Sequence, residues 1–120
     1  MKNLLLLFIM LVLLLAGCKP QIINNKDIES IIVENISTAQ EIEIKDLSQI
    51  SKLIQIINSS NREFYIFIPE YRITVLYQNN NKVTILVKDL MLKKNGVSYK
   101  TSKELCAKIE EYFSKSPSSP

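Results

Sequence analysis

Apolar and polar positions along this chain change period several times, and each change marks an element. Leu47, Ile50, Leu53, Ile54 and Ile57 recur at steps of three and four, which on a helix makes one apolar stripe. The spacing predicts a helix from Asp46 to Asn58, with Asp46 as N-cap and Gln49 completing a reciprocal capping arrangement. Asn58-Ser59-Ser60-Asn61 stops it. A second helix is predicted from Ser102 to Ser114, where Leu105, Ile109, Tyr112 and Phe113 share a face and Thr101 with Glu104 forms a Thr-x-x-Glu capping box.

Between and around these stripes the period falls to two, the signature of half-buried strands. Ile28 to Glu34 and Gln40 to Lys45 read as a pair about a turn at Asn35 to Thr38, with Ile42 and Ile44 alternating against Glu41, Glu43 and Lys45. Tyr71 to Gln78 and Lys82 to Lys88 alternate on either side of Asn79-Asn80-Asn81. Leu90-Met91-Leu92 and Val97-Ser98-Tyr99 flank Lys94-Asn95-Gly96-Val97, a hairpin signal because both central residues tolerate positive φ. Glu63 to Ile68 reads as one more strand, apolar on both faces and broken by Pro69-Glu70.

The predicted order is β-β-α-β-β-β-β-β-α. Strands joined by tight turns pair antiparallel, and two helices with one stripe each must bury it, so the fold class is α+β: an antiparallel sheet with both helices packed on one face. Residues 27–115 make a single domain, long enough for a modest core without disulfides. The Ser- and Pro-rich residues 116–120 are expected to be a disordered tail.

Ahead of that domain, Met1-Lys2-Asn3 opens an unbroken apolar run from Leu4 to Leu15, closed by Leu15-Ala16-Gly17-Cys18. A basic head, an apolar middle and a small-residue site are the parts of a secretory signal peptide. The run of 12 residues is short of the roughly 20 that span a bilayer. Leu-Ala-Gly-Cys resembles the lipobox of bacterial lipoproteins. The resemblance implies removal of residues 1–17 and a diacylglyceryl group with fatty acids such as palmitate on Cys18. The chain is then held on the extracytoplasmic face of the cell membrane, since two or three acyl chains anchor where one binds only marginally. Residues 18–26 are expected to be a polar tether. Abundant Ile, Lys and Asn without Trp or His is the usage of an AT-rich genome, and with the lipobox it points to a Gram-positive cell. The strand Tyr-Arg-Ile-Thr-Val-Leu-Tyr at residues 71–77, the Asn turn and the helix start Tyr-Lys-Thr-Ser-Lys-Glu-Leu at 99–105 look like small lipoprotein domains of Bacillus and its relatives, such as the YhfM-like domain. That similarity covers Ile28 to Phe113 and implies a surface location without an activity.

Charge and chemistry narrow the function classes. Fifteen Lys and Arg against twelve Asp and Glu give +3, and +2 once Lys2 is removed with the leader. That scattered, balanced charge argues against nucleic acid. Without histidine there is no Ser-His or Cys-His pair and no imidazole metal site. The only glycines are Gly17 and Gly96, so no Gly-rich phosphate loop exists. With Cys18 carrying lipid, Cys106 has no partner within the chain and reads as a semi-buried apolar residue of the second helix. Glu41 and Glu43 read as a solvated strand face. Lys93-Lys94 reads as a solvated turn that can also meet anionic headgroups or wall polymers. No enzyme, cofactor or metal is expected.

One candidate surface remains. If Phe64, Ile66 and Ile68 face the helices, Tyr65 and Phe67 face away, joined by Leu76 and Leu86 beside Arg72, Thr74, Thr84 and Lys88. Either these form an exposed patch for an extracytoplasmic protein partner, or the N-terminal strands or the Leu90–Tyr99 hairpin cover them as a second core layer. The expected function is a lipid-anchored binding module; the alternative is an immunity or inhibitor protein acting on a secreted enzyme or toxin.

Overall fold

A computed structural model describes residues 3–8 and 21–115. Cleavage of the leader, lipidation at Cys18 and the tail at 116–120 therefore lie outside the described residues. Residues 3–8 are helical (α1), and no described helix is long and apolar enough to cross a membrane.

The domain runs β1 (Ile28–Asn35), β2 (Glu41–Ile44), α2 (Leu47–Asn58), β3 (Asn61–Arg62), β4 (Tyr71–Tyr77), β5 (Lys82–Lys88), β6 (Met91–Lys94), β7 (Val97–Lys100) and α3 (Lys103–Lys115). This is the α+β order that the hydrophobic pattern predicts. The seven strands form one antiparallel sheet in the order β2-β1-β4-β5-β6-β7-β3. Residues opposite each other share a face, so the register sorts the sheet into rungs. Ile42, Val33, Ile73 and Ile85 form one inward rung, and Ile44, Ile31, Val75 and Val83 the next. Both helices cover this side: Ile50, Leu53, Ile54, Ile57, Leu105 and Ile109 join the strand residues in a single core. A bulge keeps β1 in phase. Ile28 faces Tyr77 but Ser30 faces Leu76, so Glu29 is the extra residue and Ile28 and Ile31 both point inward.

Local chemistry explains the turns. Asn95 (φ 50°) and Gly96 (φ 79°) are both left-handed, as the Asn-Gly pair requires. At the start of α2, Asp46 Oδ1 accepts the N–H groups of Ser48 (2.8 Å) and Gln49 (3.2 Å), satisfying two otherwise unpaired donors.

Five expectations need correction. Glu63 to Ile68 is not a strand; the ladder there is only Asn61–Arg62, paired with β7. Leu47 is not in the core but 75 % exposed, and Ile56 is buried in addition to the predicted stripe. Gln49 does not close the capping arrangement, because its Oε1 accepts the Tyr112 hydroxyl of α3 at 2.8 Å. Thr101 does not cap α3: its backbone N–H donates to Leu90 O (2.8 Å), and its buried hydroxyl has no partner among the described residues. The polar tether, finally, does not extend to Lys26. Ile22 and Ile23 are buried in the core, and three side chains hold the backbone of residues 22–24. Asn58 accepts from Ile23 N–H (2.8 Å) and donates to Ile23 O (3.0 Å), Lys94 Nζ donates to Ile22 O, and the Tyr77 hydroxyl donates to Asn24 O (2.8 Å). Burying two isoleucines is worth several kcal/mol, which outweighs the polar character of the residues around them.

Candidate functional site

The topology itself creates the surface of interest. β4 lies between β1 and β5, three strands away from β7. With β3 one strand further out, the chain leaving it must travel four strand spacings, roughly 19 Å at about 4.8 Å each, back across the sheet before β4 can begin. Residues 63–69 make that crossing.

Side-chain parity places the crossing on the outer face, opposite the helices. Tyr99 pairs with the core residue Leu92 and packs inward, so its neighbour Ser98 points outward. Ser98 grips the crossing: Tyr65 N–H donates to Ser98 Oγ (2.9 Å), and that hydroxyl donates to Glu63 O (2.6 Å). Glu63 N–H donates to Ser98 O (3.2 Å). The far end is fixed by Glu70, whose N–H donates to Val87 O and whose carbonyl accepts from Ile36 N–H, both at 2.9 Å.

An extended segment alternates its side chains, and one set has to face water. Tyr65 and Phe67 are half-buried, whereas Phe64, Ile66 and Ile68 are 84, 87 and 87 % exposed. This inverts the expected parity: the set assigned to the helices is the set in solvent. Desolvation, then the Glu63 carboxylate beside it, pushes the Tyr65 hydroxyl above the ordinary phenol range. Leu76 and Leu86 are half-buried on the same face. Arg72 is exposed and paired with Glu34 at 2.7 Å. Neither the N-terminal strands nor the hairpin covers this face, because β1, β2, β6 and β7 all lie within the one sheet.

No family model, curated protein or solved structure matches the chain at a significant level. The reading of this surface therefore rests on its geometry.

The outer rungs are polarised in charge. One rung runs Glu41, Glu34, Arg72, Leu86, Lys93 and Ser98 across six strands. Acidic side chains sit on β2 and β1, and basic ones on β4 to β7. Lys82, Lys88, Lys93 and Lys100 all occupy outward positions on β5, β6 and β7, which carry no outward acidic residue. The crossing brings Glu63 and Glu70 to its two ends, and Glu70 pairs with Lys88 at 3.2 Å. Phe64, Ile66, Ile68, Lys82 and Lys100 are the site residues that sequence reasoning missed, whereas it had set Lys88 beside the patch and Lys93 at a turn able to meet anionic groups. A signal existed: a segment apolar at every position cannot bury both sides in a two-layer fold.

A second concavity of about 700 Å³ lies along α2, lined by Gln21, Asn25, Ile28, Leu47, Ile54 and Asn58 among others. Among the described residues, no group of three or more His, Cys, Asp or Glu is placed to hold a metal ion.

Proposed function

We propose that the chain is a lipoprotein of the extracytoplasmic membrane face whose domain acts by binding through the outer face of its sheet. The leader pattern ending in Cys18 supports the anchor, and the row Phe64, Ile66 and Ile68 supports the binding. Burying a large apolar side chain is worth about 1.5–3 kcal/mol. A fold that grips a crossing at both ends while leaving three such side chains in water holds a large driving force for association in reserve.

Substituting Cys18→Ser tests the anchor. The variant should take up no radiolabelled palmitate and keep its leader, while the parent chain is labelled and released by detergent from the membrane fraction. Labelling of the variant would sink this half of the reading. A photo-crosslinking residue at position 66 should give lipid or protein adducts in intact cells and one at Ala107 should not; adducts from neither site would sink the other half.

A further inference from the structure

We infer that the outer face of the sheet lies against an anionic lipid leaflet, with Phe64, Ile66 and Ile68 in the interfacial layer and Lys82, Lys93 and Lys100 at the phosphate groups. This deepens the reading above and rests on its placement of the anchor at Cys18.

Size separates a lipid occupant from a protein one. The row covers four residue steps, roughly 13 Å. Stable protein interfaces use about 20–30 residues a side, with charged residues depleted at their centre. A short apolar row set among lysines is what an interfacial contact with anionic lipid requires, where apolar insertion and attraction to phosphate act together. The charges are placed for this. Lys82, Lys93 and Lys100 project from three adjacent strands on the face that the row crosses. The outward acidic residues of the strands stand on β1 and β2, at the other side of the sheet, and of the two that the crossing adds at its ends, Glu63 and Glu70, the second is paired with Lys88.

The attachment point is close enough to bring this face down. Ile22 is fixed in the core, so only residues 19–21 separate the domain from Cys18, and the reach from Cys18 to Ile22 is at most about 14 Å. One layer of a protein is about 10 Å thick. Ile22 O is held by Lys94, which alternates with the outward Lys93 and so points to the helix side of the sheet. The leash therefore leaves the domain one layer away from the row, and its reach exceeds the thickness of that layer, so it is long enough to pass the edge of the sheet and let the row meet the bilayer.

The chain has no tryptophan, so Ile66→Trp and Ala107→Trp each supply a single emitter, one in the row and one on the exposed side of α3. Both full-length variants are extracted from membranes and reconstituted in vesicles of equal parts phosphatidylcholine and phosphatidylglycerol with brominated acyl chains. Ile66→Trp should be quenched several-fold more than Ala107→Trp, with blue-shifted emission. The difference should shrink several-fold in phosphatidylcholine alone, and likewise when Lys93→Glu and Lys100→Glu are added. Equal quenching of the two variants overturns the inference and leaves the anchor standing. A blue shift of Ile66→Trp that persists in detergent, in particles of two copies, also overturns it, because a second copy then fills the row. The anchor is scored separately on the same material: a parent chain without fatty acid refutes lipidation, and the quenching difference is still read on whatever fraction sediments with the vesicles. A chain that does not sediment at all refutes both.

Discussion

Cys106 shows how one side chain can be chemically quiet although it lies near the surface. Its Sγ contacts Asp89 O at 3.1 Å, and it packs partly against the core beside Tyr112 and Phe113. Burial pushes the thiol up from its ordinary value, with Asp89, Glu70 and Glu110 adding to the shift. A raised pKa means less thiolate at any given pH, and thiolate is the form that attacks. In a Cys18→Ser chain, which keeps this single thiol, alkylation by iodoacetamide near neutral pH should be several-fold slower in buffer than in urea. The native rate should climb only above the ordinary thiol range; equal rates in buffer and urea would show that the fold does not protect it. The same shift sets a sign for stability. The fold favours the protonated thiol, so its contribution is complete below the unfolded pKa and is lost as pH rises through the folded one. Sequence legibility also varies residue by residue. Asn95-Gly96 announces its positive φ values by residue type. Asp89 adopts φ 51° at the β5–β6 turn with Leu90 after it, a pair without that signature.

At the scale of elements, the crossing at residues 63–69 depends on Ser98 more than on any ladder. Ser98→Ala removes the acceptor of Tyr65 N–H and the donor to Glu63 O. The expected cost is about 1–3 kcal/mol in urea denaturation, the range for leaving polar groups without partners. Limited proteolysis within 63–69 should quicken. Unchanged stability and cleavage would mean that the packing of Tyr65 and Phe67 alone holds the segment. The helices were legible because a stripe at three- and four-residue steps reports directly on one buried face. The crossing was not legible in the same way. Its pattern of Phe-Tyr-Ile-Phe-Ile says that both sides are apolar, but which side is wet follows from β4 pairing with β1 and β5, a distant choice that no window of neighbouring residues contains. Asp46 caps α2 as its residue type predicts, but Gln49 leaves the reciprocal arrangement open for a related reason: it meets Tyr112 of α3, and a partner 63 residues away outcompetes the local one.

For the whole molecule, the clamp on residues 22–24 decides where the domain begins. Asn58→Ala deletes both hydrogen bonds to Ile23 and should cost about 1–3 kcal/mol of stability, measured by thermal or urea unfolding. It should also open residues 21–24 to proteases. A variant as stable and as resistant as the parent would show that the burial of Ile22 and Ile23 needs no clamp. Two isoleucines among Gln21, Asn24, Asn25 and Lys26 follow no period, so this part of the core had no pattern to reveal it. The sheet, too, has a property that only its complete strand order exposes. Apart from the two-residue β3, it consists of two pieces built from near neighbours, the β1–β2 hairpin and the β4–β7 meander, and they meet along β1 and β4. Residues facing each other across that seam stand some forty positions apart in the chain. Closing so long a loop costs entropy before any pairing repays it, so the seam governs the pace of folding. Until it closes, β1 and β4 each present a bare edge rich in Ile and Val, with unpaired backbone groups that another copy can also meet. The seam therefore sets the interval before closure as the stage of folding at which pairing with another copy is expected to compete.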